Sequence, residues 1–292
     1  MQSPLPVSTR WMIRLAMDNE ITEYHIYSRL ASRIRDPHNA AILAKIAGDE
    51  KRHASFWEKH LDEKAVPKKF KIFWFFWIAK IFGITFGLKL LEKSESKAEQ
   101  NYQYIAQYIP EAKQIAADEE AHEKELIALL QEEKLEYIGS IVLGLNDALV
   151  ELTGALAGFT LALQQNKVIA MAGLITGVAA AFSMASSEYL SNKAENAGEK
   201  ASRASLYTGL AYILTVFLLI FPYFIFSDPL ASLACTLCIA VLIIFVFNYY
   251  ISVAKDLPFR KRFIEMTLVS LGVSALSFLL AWGIKSWMGV EV

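Results

Sequence analysis

The sequence predicts an all-α protein in two parts, a four-helix bundle over residues 1–134 and a five-helix transmembrane domain over residues 135–292. Three observations predict it. The first half carries one short pattern of acids and imidazoles twice, at helical spacing, in strongly charged sequence. From Ile138 onward charge nearly vanishes, and apolar runs long enough to cross a bilayer of about 30 Å follow one another. The composition fits that mixture, with 54% hydrophobic residues and a mean hydropathy of +0.32 in spite of the charged first half. A net charge of −1 and a pI near 6.5 give no hint of a nucleic-acid partner.

The repeated pattern orders the N-terminal part. Glu20 is followed by Tyr27 and then by Asp49, Glu50 and His53; Glu95 is followed by Tyr102 and then by Asp118, Glu119 and His122. A Glu-x-x-His pair sets a carboxylate and an imidazole one turn apart on one helix face, so each such helix offers two ligands to one point. Two of these helices, with one lone Glu from each of two others, present four carboxylates and two imidazoles inward. That is the donor set of a di-iron or di-manganese bundle.

With these motifs, residues 8–132 resemble the ferritin-like and rubrerythrin-like proteins. The resemblance implies a dinuclear iron or manganese centre held by Glu20, Glu50, His53, Glu95, Glu119 and His122, with Glu50 and Glu119 as the bridges. It also implies that Asp49 and Asp118 each hydrogen-bond the His of the opposite repeat and fix its tautomer, with Tyr27 and Tyr102 supporting the ligands. No haem and no nucleotide is expected. Glu23, Glu92, Glu99 and Glu123 lie close by in sequence and are read as solvent-facing for the most part, with an additional metal site as the other reading. His25, His38 and His60 fall outside the pattern and read as surface or capping residues.

Between the second and third bundle helices lies an unusual segment, Phe70–Leu91, which contains Phe73-Trp74-Phe75-Phe76-Trp77 flanked by Lys68, Lys69, Lys71 and Lys80. A sixth membrane span here would put the second half of the ligand set on the wrong side of the bilayer. The expectation is a helix lying in the membrane interface, aromatic side down, as the crossover of the bundle, ahead of a buried dimer surface.

Five spans are expected in the second part: Ile138–Leu163, Ile169–Leu190, Leu206–Phe226, Leu230–Val253 and Met266–Trp287. Lys193, Lys200, Arg203, Lys255, Arg260, Lys261 and Arg262 fall in the loops on one side, and only Lys167 and Lys285 on the other. That asymmetry places the N-terminus in the cytosol and the C-terminus outside. Met1 to Trp11 has no apolar core of signal-peptide length. The localisation expected is the inner membrane of a prokaryote. Asn146, Asp147 and Glu151 interrupt the first span, and Ser183, Met184, Ser186, Ser187 and Glu188 the second. Acids at such depth call for a partner, a cavity or an ion path. Counting about 1.5 Å per residue, Asp147 and Met184 meet in the inner half of the bilayer, with Glu188 nearer the mouth and Glu151 deeper.

The stretches Gly144–Val150 and Ser183–Ser191 resemble the signatures of the vacuolar iron transporter family over about residues 138–288. The resemblance implies five spans, a homodimer, and movement of Fe2+, with Mn2+ as a second substrate, out of the cytosol in exchange for protons. It implies a pathway through Asp147 and Met184, joined by Asn146, Glu151 and Glu188. A carboxylate with a thioether suits a partly dehydrated transition-metal ion better than Mg2+ or Ca2+. Ala148 and Ser187 stand where the family has glycines. The long Glu-rich insert that some members carry after the second span is here only the loop Asn192–Ser205, with Glu195 and Glu199. The N-terminal bundle takes its place as metal collector, as in the fused membrane-bound ferritins.

Cys235-x-x-Cys238 has redox spacing but sits inside the fourth apolar run, where small helix residue is the better reading. Gly154-x3-Gly158 and Gly173-x3-Gly177 read as close helix packing. The function expected is proton-driven export of Fe2+ or Mn2+, with a bundle that captures, senses or oxidises the ion. The alternative is a membrane-anchored di-iron oxidase or peroxidase without transport; whether the bundle has enzyme activity of its own is open.

Overall fold

The first helix begins as its sequence permits, after Pro6, and runs through Val7–Ala31 (α1). The second, Pro37–Leu61 (α2), starts with Pro at its first position and with Asp36 accepting a hydrogen bond from the Asn39 amide at 2.8 Å. Both devices satisfy or remove amides that a helix N-terminus leaves unpaired. In this computed structural model, residues 5–34, 36–95, 98–128, 137–194 and 198–288 are described, and the protein is all-helical with no strand among them. The remaining helices of the N-terminal part are Lys69–Phe82 (α3), Ile84–Glu95 (α4), Ala98–Ile105 (α5) and Ala112–Ala128 (α6). Those of the C-terminal part are Ile138–Leu163 (α7), Asn166–Ala194 (α8), Glu199–Ile220 (α9), Pro222–Ile225 (α10), Pro229–Ala254 (α11) and Phe259–Met288 (α12). The chain divides into two compact units, residues 1–132 and 133–292.

Two apolar layers bracket the middle of the first unit. One gathers Ile26 and Leu30 of α1, Leu43 and Ile46 of α2, Ile72 and Phe75 of α3, Leu88 and Leu91 of α4, and Leu126 of α6. The other gathers Ile13 and Met17, Trp57 and Leu61, Tyr102 and Ile105, and Ala112 and Ile115. Read through these layers, α1 and α6 run one way while α2 and the α4–α5 segment run the other. Since α2 and α4 are parallel, the chain must return between them, and α3 makes that return. The connection ahead of α3 is tied to α1: the Val66 amide donates to Asp18 at 2.7 Å and the Lys68 amide to the Thr22 hydroxyl at 3.0 Å. Gly83, at φ 101°, ends α3 in a conformation that a side chain would disfavour, and α4 then packs back on α3.

In the second unit the five expected spans appear as helices long and apolar enough to cross a membrane: Ile138–Leu163, Asn166–Ala194, Lys200–Ile225, Pro229–Ala254 and Phe259–Met288. The third continues through α9 and α10, with Pro222 at the junction. Ala148, Leu149, Leu152 and Leu156 of α7 form a core with Tyr212 and Val216 of α9 and Ala240 and Ile244 of α11. Lipid tails offer little hydrophobic drive between helices, so close backbone approach and hydrogen bonds must supply the cohesion. Gly144 shows how close: a Cβ there would lie 2.4 Å from the Thr208 carbonyl oxygen. The two small-residue motifs pack as expected, Gly154 against Val273 and Ser277 of α12, and Gly173 and Gly177 against Ile220 and Val216 of α9. Thr153, Ser270 and Ser274 add a hydrogen-bonded seam between α7 and α12, with Ser274 donating to Thr153 at 2.9 Å. Cys235 and Cys238 are free thiols, half-buried and exposed, inside the fourth span. Residues 129–136, whose sequence has neither Pro nor Gly to break a helix between the bundle and the first span, lie outside the described residues.

Candidate metal centre and membrane acids

Between the two apolar layers of the N-terminal unit, helical spacing turns a set of acids and imidazoles inward. Glu20, Glu50, His53 and His122 are 2%, 1%, 5% and 4% exposed, a degree of burial that charged groups reach only with partners. His53 Nδ1 stands 3.4 Å from Glu20, 3.6 Å from Glu50 and 3.4 Å from Glu119. His122 Nδ1 stands 3.1 Å from Glu50 and 3.9 Å from Glu119. Single donor atoms of Glu20, Glu50, His53 and Glu119 all lie within 4.8 Å of one another, a cluster that could hold a metal ion. Glu50 and Glu119 reach both imidazoles, the placement a bridge would need.

The far sides of the two rings are held crosswise. His53 Nε2 lies 3.2 Å from Asp118 Oδ2, and His122 Nε2 lies 3.1 Å from Asp49 Oδ2. An Nε2–H donated to carboxylate leaves the Nδ1 lone pair pointing at the cluster, the tautomer a metal ligand requires. Tyr102 donates its hydroxyl to Glu20, and Trp57 stacks on the Tyr102 ring with centroids 6.2 Å apart.

The electrostatics are those of too many acids in too little water. Burial, reinforced by the Glu50 charge, pushes the Glu20 carboxyl up to about 8. Burial and the nearby Glu20 raise Glu119 as well. For the rings, burial opposes protonation but is outweighed: Glu119, Glu20 and Glu50 hold His53 far above the ordinary histidine range, and Glu50 and Glu119 bring His122 up to about 9. Burial, with the charges of Glu20 and Glu119, lifts the Tyr102 phenol well above its usual value. Protons here do what cations would do. Among the described residues, Glu20 Oε2, Glu50 Oε2, His53 Nδ1 and His122 Nδ1 are buried without a hydrogen-bond partner, and all four belong to the inward donor set. Buried polar atoms are seldom left so, and a bound cation is what would satisfy them together.

Glu95 ends α4, but its side chain lies outside the described residues, as do those of Glu92 and Glu99. Tyr27 is buried in the apolar layer with Ile26, Leu30 and Leu43. Glu123 is exposed as expected. Glu23 is not: it is 6% exposed, with Lys71 Nζ of α3 at 3.9 Å. It sits one turn from Glu20, and that turn carries its side chain under α3 rather than into solvent. The Trp57 stack and the Lys71 approach escape sequence reading, because each depends on a neighbouring helix's rotation.

The C-terminal unit presents its acids along α7. Asp147 is half-buried and Glu151, one turn on, is exposed in the single chain. Tyr212 of α9 donates to Glu151 at 2.9 Å, a pairing that no sequence motif marks. Glu188 of α8 accepts from Ser140 of α7 at 2.7 Å, tying the second span to the start of the first. Met184 is partly buried against the α7–α9 core, and Asn146 is half-buried on α7.

Five helices long and apolar enough to cross a bilayer, two of them bearing Asp147, Glu151 and Glu188, point to an integral membrane protein. A family model described as VIT family matches residues 138–205, a stretch that contains Asn146, Asp147, Glu151, Met184 and Glu188. The C-terminal region is thus similar to the membrane domain of the vacuolar iron transporters, which points to membrane metal-ion transport. No curated protein matches the chain.

Proposed function

We propose that this chain exports Fe2+ or Mn2+ from the cytosol by proton antiport, and that its N-terminal unit is a ferritin-like dinuclear metal domain that captures, senses or oxidises the ion. The observation that carries the reading is the conjunction of two metal-suited sites in one chain: an inward donor set with four orphaned buried atoms, and spans of VIT type bearing Asp147, Glu151 and Glu188.

In this reading Glu20, Glu50, His53, Glu119 and His122, with Glu95, hold a di-iron or di-manganese pair. When bound, such a pair supplies redox-capable cationic charge. The protein's part is positioning. Asp118 and Asp49 aim the two imidazoles, and Tyr102 fixes one oxygen of Glu20 so that the other stays turned inward. Residues 1–134 act as the cytosolic domain and 135–292 as the transporter, in the inner membrane of a prokaryote, with the C-terminus outside.

In the transporter, Asp147 offers an ion contact and a proton acceptor, Met184 a soft donor that disfavours Mg2+ and Ca2+, and Glu188 a carboxylate toward the cytosolic mouth. Glu151 exposed on a lone protomer would meet hydrocarbon, a costly position for an acid. A homodimer that sets this face of α7 against its copy removes the cost and encloses the path. The anchored-oxidase reading leaves the Asp147, Glu151 and Tyr212 group without a purpose, since one apolar helix suffices to anchor.

Uptake of Fe2+ and Mn2+ into proteoliposomes under an imposed pH gradient tests the proposal. Gradient-dependent accumulation of either ion is expected, and accumulation equal to that of protein-free vesicles would overturn it.

A further inference from the structure

Helix α3 is two-faced in a way that neither the metal centre nor the transport path uses. Ile72, Phe75 and Ala79 are buried against α1, α2 and α4. On the opposite stripe Phe70, Phe73, Trp74, Trp77 and Ile81 are 77%, 56%, 52%, 40% and 62% exposed. A solvated surface helix reverses that composition. The stripe is also held rigidly: the Lys68 amide is bonded to Thr22, Lys71 reaches Glu23, and Phe70 stacks on Trp74 with centroids 6.3 Å apart.

Its rim is cationic. Lys80 Nζ lies 4.4 Å from the Trp77 ring centroid, Arg29 and Arg33 lie 5.9 and 5.8 Å from that of Phe76, and Lys68 and Lys69 stand at the helix start. Lys69–Phe82 contains no Asp or Glu. Trp and Phe over an apolar stripe, with Lys and Arg at its edge, is the composition that partitions into the boundary between headgroups and acyl chains. A bilayer is always near, because the chain itself crosses one five times in the reading above and only nine residue steps separate Ala128 from Tyr137, about 30 Å at full extension.

We propose that the exposed face of α3 docks into the headgroup and acyl boundary of an anionic bilayer, holding the metal-binding unit against the membrane surface. A second copy of the chain suits the face less well. A two-fold contact here would bring Lys68, Lys69, Lys80 and the two arginines toward their own copies, and this rim has no acid of α3 to pair with them. Anionic lipid meets both demands at once, taking the aromatic stripe into its acyl boundary and the basic rim at its headgroups. Docking depends on the membrane-spanning half of the chain and not on whether it transports.

Full-length protein in which Cys235 and Cys238 are replaced by Ala, reconstituted in nanodiscs of phosphatidylcholine and phosphatidylglycerol, tests it. Nitroxides are attached at Trp74→Cys, at Trp77→Cys and, as a reference, at the exposed Lys113→Cys. Collision with oxygen should exceed collision with a water-soluble nickel chelate at 74 and 77, at depths of about 5–10 Å below the phosphates, with the reverse at 113. In Lys68→Glu/Lys69→Glu/Lys80→Glu protein, the depth signal should be lost. Nickel accessibility at 74 and 77 equal to that at 113 would overturn docking. So would labels shielded from both reagents with a short 74-to-74 distance between protomers, which would assign the face to a second copy.

Discussion

At the scale of single residues, the N-terminal centre is a problem of charge and the membrane path a problem of solvation. In the first, no side chain is redundant: each ring has one nitrogen on an aspartate and the other on the cluster. Asp118→Asn keeps the shape but can present an amide N–H to Nε2, which favours the tautomer with the proton on Nδ1. Mn2+ affinity should fall by about 10- to 100-fold, read by titration, with helicity unchanged. An unaltered affinity would mean that Asp118 does not set the tautomer. In the second, Asp147→Ala removes both an ion contact and a proton acceptor from α7. Uptake should fall to background while the N-terminal unit still binds two Mn2+ per chain; transport at the parent rate would take Asp147 out of the path. Met184→Leu conserves volume and deletes sulfur, so the Fe2+ to Mg2+ preference should drop with little change in stability.

At the scale of elements, the two halves cohere by different means. The N-terminal helices bury apolar side chains from water, so Trp57→Ala, which empties a fully buried site, should cost about 3–5 kcal/mol. The spans rely on near contact of backbones. Gly144→Ala would drive a methyl carbon into the Thr208 carbonyl and should cost about 1–3 kcal/mol, seen as a lower unfolding temperature in detergent, because α7 and α9 must part. What sequence disclosed and what it concealed divide along the same line. Ligand spacing, the five spans and the aromatic segment between the second and third bundle helices follow from periodicity and composition, which are local, whereas the crosswise Asp–His pairs are what the resemblance to ferritin-like proteins implies. The burial of Glu23, its approach to Lys71, the Trp57–Tyr102 stack and the Tyr212–Glu151 bond follow from how one helix is rotated against another. A 3.6-residue period leaves a residue at the edge of a stripe undecided, and Glu23 is such a residue.

At the scale of the whole molecule, two units with separate cores should unfold in two transitions, and the acids and imidazoles of the N-terminal centre should set how the first responds to pH. The sign of the pH effect follows from the shifts. Glu20, raised from 4.5 to about 8 in the folded protein, contributes stability that is present in full below 4.5 and lost as pH rises through 8. His122, raised from 6.5 to about 9, contributes stability present below 6.5 and lost through 9. Both act in one direction, at up to about 1.4 kcal/mol per pH unit for each proton involved, so the apo N-terminal transition should move to lower temperature between pH 6 and pH 9. Metal replaces those protons. Saturating Mn2+ should therefore raise this transition, by about 2.7 kcal/mol at one hundred times Kd, and by more at high pH where fewer protons compete. Calorimetry of the full chain in detergent reads both. If, in Asp147→Ala protein, the C-terminal transition still rose in step with the first, the units would be one cooperative body, and metal bound in the N-terminal half would bear directly on the spans.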